Sequence, residues 1–262
     1  MSLVDTDWLE KNLNKVKIID CSWHMPAENR NAQDEFNKEH IPNAIFFDLD
    51  KNSKQDTDLP HMLPSLVAWN EIISDLGISN DDQIVIYDNS NVISSCRGWY
   101  NFIYFGHDPK LVHVLNGGLK KWIKENRKNT DDISKIQISN YKSFEKKELV
   151  KNKKSIDLNV DEQKFIVIDA RSKERFEGRV PEPRKGLRSG GIKNSFCIPF
   201  NLCLSEDKTF KSKKDLKIIF ENCLKNINEK NIVFSCGSGV TACVLALAYS
   251  CLLYTSPSPR DS

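Results

Sequence analysis

Three short apolar segments occur twice in this 262-residue chain, at nearly one spacing. "VKIIDCSW" (16–23), whose apolar run ends at Asp20, returns as "FIVIDARS" (165–172) with Asp169, an offset of 149. "HIPNAIFFDL" (40–49) returns as "GIKNSFCIPF" (191–200), with Ile41 against Ile192 at an offset of 151. "QIVIYDNS" (83–90) returns as "NIVFSCGS" (231–238), with Asp88 against Cys236 at 148. Such a pattern is the mark of a duplicated unit, so the chain must build one small fold twice.

Within each unit the apolar strands alternate with helical patterns. In the first, Ser65 precedes Leu66, Trp69, Ile72, Ile73 and Leu76, and Gly77 closes the run. That is helical spacing with a cap at each end. In the second, Ser212 precedes Leu216, Ile219, Phe220, Cys223 and Leu224, again one helical face. Alternation of this kind predicts an α/β protein in which each unit has a mainly parallel sheet flanked by helices. The units are expected at 1–125 and 144–250, joined by a polar, Lys/Asn-rich linker at 126–143.

Charge and cysteine usage narrow the function. A net charge of +2 with 28% charged residues gives no reason to expect nucleic acid or a membrane surface as partner. No apolar run is long enough for a membrane span. The start, "MSLVDTDWLEKNL", has neither a basic nor an apolar signal region. The eight cysteines form no CxxC pairs and have no His-rich companions, so no metal is expected. The expected setting is a reducing cytoplasm with free thiols.

One cysteine is placed for chemistry. In "FSCGSGVTA" (234–242) an apolar strand delivers Cys236 to a small loop, and a helical pattern follows from Thr241. Loops at the carboxyl ends of parallel strands are where open α/β sheets bind ligands. Gly237 and Gly239 let the backbone curl, and the N–H groups through Val240 and Thr241 can cradle an anion. In such a setting the thiolate is the favoured form of a thiol. On the residues alone, a structural cysteine between strand and helix fits equally well. Cys223 and Cys243 fall on helical patterns and read as core, while Cys96 lies near the matching loop of the first unit. That first loop has Asp88 in place of Cys236, and a carboxylate cannot stand in for a nucleophilic thiolate, so only the second unit is expected to be active.

The segments "HIPNAIFFDLD", "LPHMLPS", "NGGLKKW", "RFEGRVPEPRKG" and "CGSGVTA" make the chain resemble the 3-mercaptopyruvate sulfurtransferases, two-domain members of the rhodanese superfamily. The resemblance covers most of residues 15–250. It implies tandem rhodanese-like domains, the first non-catalytic and the second catalytic, and a persulfide on Cys236. It implies that Arg175 and Arg184 hold the substrate carboxylate and ketone oxygen, a task suited to guanidinium groups. It also implies a relay of Ser238, His61 and Asp50, with the active site in the cleft between the domains. The implied substrate is 3-mercaptopyruvate and the acceptor a thiol such as thioredoxin, with no cofactor and no metal.

Thiosulfate-using relatives have a basic loop where this chain has Gly237 and Ser238, which places a thiosulfate sulfurtransferase second. A phosphatase of the Cys-x5-Arg type is excluded by Ala242 at the arginine position. A non-enzymatic sulfur carrier would keep Cys236 but would not need the two arginines. The resemblance further implies a second domain truncated at its C-terminus, because no counterpart of "NGGLKKW" follows α-helical "TACVLALAYS". "CLLYTSPSPRDS" (251–262) back-translates to a sequencing adaptor and is expected to be non-native read-through.

Overall fold

The computed structural model describes residues 2–184, 186–224 and 231–253. The expected read-through segment therefore falls mostly outside the described residues, apart from 251–253, which continue a helix. The strands are β1 (Leu3–Val4), β2 (Lys17–Asp20), β3 (Ala44–Phe46), β4 (Ile84–Tyr87), β5 (Val112–Leu115), β6 (Ile166–Asp169), β7 (Phe196–Cys197) and β8 (Ile232–Ser235). The helices of the first unit are α1 (Thr6–Asn12), α2 (Ala32–Lys38), α3 (Leu66–Asp75), α4 (Ser95–Tyr104) and α5 (Gly118–Lys124). Those of the second are α6 (Lys153–Glu162), α7 (Lys173–Phe176), α8 (Lys213–Glu221) and α9 (Thr241–Leu253).

Two parallel sheets form, in the orders β1-β5-β4-β2-β3 and β7-β6-β8. The second reproduces the β3-β2-β4 part of the first, as the repeat requires. Register follows too: Asp20 lies opposite Tyr87, and Asp169 opposite Ser235. Asp88 and Cys236, the next residues along, thus leave equivalent strand ends. β4 is buried throughout between β2 and β5, whereas β8 is half-buried and pairs with β6.

The caps read from sequence form as hydrogen bonds. Ser65 Oγ accepts from Ala68 N at 3.2 Å, and Ser212 Oγ from Asp215 N at 3.2 Å. Each satisfies a first-turn N–H that the helix cannot. Gly77 ends α3 with φ +66°, a conformation open to glycine at little cost. The apolar face of α8 buries Leu216 and Phe220.

The main core is continuous across both units. Cys96, Trp99 and Phe102 of α4 belong to the same buried cluster as Cys243, Val244 and Leu247 of α9. Each such aliphatic or aromatic side chain contributes about 1.5–3 kcal/mol by leaving water, so this contact fixes the two units together. Residues 126–143 contain no helix or strand beyond an isolated bridge from Thr130 to His40. They are tied to the first unit: Tyr141 is buried, and its phenol lies 2.9 Å from His107 Nδ1. Among the described residues no helix is long and apolar enough to cross a membrane.

Candidate active site

Cys236 follows β8 directly, half-buried, and α9 begins at Thr241. The short loop folds back on its own sulfur, with Gly239 N–H donating to Cys236 Sγ at 3.1 Å. Gly239 has φ +81°, which turns that N–H inward. Its carbonyl accepts from the Cys243 thiol at 3.0 Å. Gly237 is exposed, Ser238 is half-buried, and Val240 is buried beneath the loop. The loop thus presents the sulfur beside a backbone donor at a helix N-terminus, a place that favours negative charge.

Both predicted arginines reach this loop. Arg184 Nη2 donates to Gly237 O at 2.8 Å. Arg175 Nη2 lies 3.3 Å from where a Cβ on Gly237 would stand. Arg175 is also held by Glu182, through Nε at 3.1 Å and Nη2 at 2.5 Å. Glu182, with its side chain 4% exposed, is shared with Arg171, which pairs in turn with buried Asp169 at the end of β6. The Arg175 guanidinium holds the Glu182 carboxyl below its ordinary range. This network locks α7 and the 180s loop against the sheet. Neither Glu182 nor Arg171 was assigned a role from the sequence, although Glu182 lies inside the "RFEGRVPEPRKG" segment.

The first unit supplies the other wall. His61 is buried and has φ 56°, and its Nε2 lies 2.8 Å from Asp50 Oδ1. Trp23 Nε1 donates to Asp50 Oδ2 at 2.9 Å, and the Trp23 ring meets His61 edge-on at 4.7 Å. The hydrogen bond to His61 lowers the Asp50 pKa. Asp50, Ser53, Lys54, Leu59 and His61 line a cleft of about 300 Å³ together with Arg184 from the second unit. The expected relay is therefore assembled in its His61–Asp50 half. His61 Nδ1 has no hydrogen-bond partner, and among the described residues none joins His61 to Ser238.

The matching loop of the first unit is closed on itself. Asp88 is buried and accepts from Ser90 N at 2.8 Å and from Ser95 N at 2.9 Å. Its carboxylate is thus satisfied by main-chain donors of its own loop and of the start of α4. Cys96 is fully buried in the core and its thiol pKa is pushed well up by burial, so it is no rival to Cys236.

A parallel sheet with a cysteine in the strand-to-helix loop, repeated once with the cysteine lost, is the architecture of two-domain rhodanese-fold proteins. The rhodanese-like domain family matches residues 5–125. The chain is 40% identical to the thiosulfate/3-mercaptopyruvate sulfurtransferase 1, mitochondrial, of Arabidopsis thaliana, over 94% of this chain and 70% of that protein. It is 35% identical to the thiosulfate sulfurtransferase of Rattus norvegicus, over 95% and 86% respectively. Its structure superposes on the crystal structure of Escherichia coli SseA, a rhodanese-fold 3-mercaptopyruvate sulfurtransferase. That match has a TM-score of 0.84 and 30% identity, covering 96% of this chain and 94% of that one. The chain belongs to the rhodanese superfamily of sulfurtransferases, and the expected fold class and enzyme class hold.

Proposed function

We propose that this sulfurtransferase moves sulfur from 3-mercaptopyruvate to a thiol acceptor through a persulfide on Cys236, releasing pyruvate. Reduced thioredoxin is a suitable acceptor, and cyanide serves in an assay. The observation that carries the reading is the Cys236 loop. It aims a backbone N–H at the sulfur, has two arginines beside it, and has no cation of its own at Gly237 or Ser238.

In this scheme the Cys236 thiolate attacks the substrate's thiol sulfur. An S–S bond forms as the carbon–sulfur bond breaks, and the electron pair of the broken bond leaves on carbon as the pyruvate enolate. The proton of the substrate thiol ends on that carbon, and the transferred sulfur stays on Cys236 as a persulfide. The loop N–H groups stabilise the outer sulfur anion. Arg184 and Arg175 bind the carboxylate and the ketone oxygen, where charge grows as the enolate forms. Glu182 takes Nε and Nη2 of Arg175, which leaves Nη1 to meet the substrate. Asp50 orients His61, and His61 moves the proton through Ser238 once substrate draws the serine to the imidazole. A second thiolate then takes the outer sulfur and restores Cys236.

Thiosulfate is the second reading, because the guanidinium groups beside Gly237 also suit a sulfonate. The test is pyruvate release from 3-mercaptopyruvate, with thiosulfate run in parallel and Cys236→Ser as control. Cysteine-dependent pyruvate release with a higher kcat/KM than thiosulfate supports the first reading. Folded protein that turns over neither donor overturns it in favour of a sulfur carrier.

A further inference from the structure

A buried arginine stands between the two walls of this site. Arg97 lies in α4 of the first unit and is 8% exposed. It donates to two main-chain carbonyls, one on each wall, and also interacts with the Cys243 thiol. Nη2 donates to His61 O at 2.6 Å, and Nη1 donates to Gly239 O at 3.3 Å. Its Nε is buried and unpartnered, and among the described residues no carboxylate forms an ion pair with it. An unneutralised buried charge is costly, so a purely structural tie would be better made by a neutral side chain.

The two carbonyls are not arbitrary. Gly239 offers its N–H to Cys236 Sγ, so holding its carbonyl fixes the plane of the loop against the nucleophile. His61 keeps a left-handed φ of 56°, which a non-glycine residue adopts only when its surroundings hold it there. The Arg97 bond to its carbonyl is such a restraint, and the same residue's imidazole faces Asp50. The space at Gly239 agrees: a Cβ there would stand 2.7 Å from Arg97 Nη1.

We propose that Arg97 is a positioning residue for sulfur transfer. It locks the Gly239 peptide beside the Cys236 sulfur and the His61 loop beside Asp50, and it brings an unpaired positive charge to the loop that carries the sulfur anion. The inference rests on Cys236 being the nucleophile.

The test compares wild type with Arg97→Lys, which keeps the charge but cannot fork, and Arg97→Met, which keeps bulk alone. Four readouts are taken: thermal midpoint, kcat and KM for pyruvate release, peptide-mapped alkylation of Cys236 by iodoacetamide, and rescue by added guanidinium. The expected result is a kcat loss of about tenfold or more in both variants, the scale of one lost charge-assisted hydrogen bond. KM changes far less, Cys236 alkylation slows in parallel, and guanidinium restores part of the Arg97→Met rate. Folded variants with wild-type kcat and alkylation rate overturn the proposal, as does a loss confined to the thermal midpoint. If Arg97→Met does not fold, Arg97→Lys decides by the same criteria. If wild type is alkylated at Cys236 yet releases no pyruvate, the substrate assignment fails. The alkylation rates then judge Arg97 alone.

Discussion

His61 Nε2 and Asp50 Oδ1 stand 2.8 Å apart on the first unit, and Arg184 of the second unit lines the same cleft while donating to Gly237 O beside Cys236. The first unit thus sets a polar pair on a cleft that an arginine of the second unit also lines. Trp23 fixes the other carboxylate oxygen, so the geometry of Asp50 is set twice although its side chain is 67% exposed. Asp50→Asn keeps the shape and removes the charge. Turnover is expected to fall by about tenfold, less than the roughly hundredfold or greater gain that a general acid–base group itself supplies, because His61 remains, with KM little changed in steady-state pyruvate assays. The Asp50 pKa is depressed by His61, so the pair's stabilising effect is present above the ordinary carboxylate value and fades as pH falls through the depressed one. Urea denaturation should therefore separate wild type from Asp50→Asn near neutrality and bring them together in acid.

The cysteines should sort by environment when the protein is alkylated under native conditions. Burial pushes the Cys203 and Cys243 thiols up to about 12 and the Cys197 thiol to about 11. Cys21 and Cys96 are fully buried and raised well above the ordinary value. Neutral, inaccessible thiols react slowly. Peptide-mapped iodoacetamide labelling should modify Cys236 first and leave Cys21, Cys96 and Cys243 unlabelled until denaturant is added. Early labelling of Cys96 would contradict the packing of α4.

Much of this was legible in the chain because it depends on local pattern. The repeat of Asp20 at Asp169 gave the paired strands, and Ser65 and Ser212 announced their helices through cap chemistry. The strand–Cys236–helix order gave the loop. What the sequence did not disclose is long-range side-chain partnership. Arg97 lies 142 positions from Gly239, and nothing in "SSCRGWY" marks it as more than a surface cation. Glu182 reads as one acid in a charged loop until Arg171 and Arg175 are seen converging on it. The partial relay has the same origin. The resemblance implies Asp50 and His61 as partners, but the position of Ser238 depends on how α4 packs against α9.

Asp20 and Asp169 end equivalent strands with different neighbours. Asp169 pairs with Arg171, whereas the matching position beside Asp20 is Ser22, whose N–H donates at 2.8 Å. Buried without a cation, Asp20 has its pKa raised to about 7. Between the unfolded value of about 3.9 and that point, the folded state holds a proton that the unfolded state has lost. Raising pH therefore favours unfolding, by up to about 1.4 kcal/mol per pH unit. Asp20→Asn keeps the acceptor and abolishes the titration. Its stability advantage over wild type in urea melts should be small near the unfolded carboxylate value, grow from there through mild acid to about pH 7, and level off above it. A constant difference across that range would show that Asp20 does not titrate in the folded protein.

The two loop glycines should answer differently to one methyl group. At Gly237 an added Cβ meets only Arg175 Nη2, at 3.3 Å, and the backbone has no positive φ. Gly237→Ala should fold with an unchanged thermal midpoint and raise KM by displacing Arg175 from the substrate. At Gly239 the φ of +81° strains any other residue by about 1–2 kcal/mol. The new Cβ would also stand 2.7 Å from Arg97 Nη1, in a guanidinium fixed by its bond to His61 O. Relief requires the peptide to turn, which withdraws the N–H from Cys236 Sγ. Gly239→Ala should therefore lower kcat by about a hundredfold, the order seen when one anion-stabilising donor is lost, while KM stays near wild type. Equal effects from the two substitutions would mean that crowding of the loop, rather than the Gly239 donor, sets the rate.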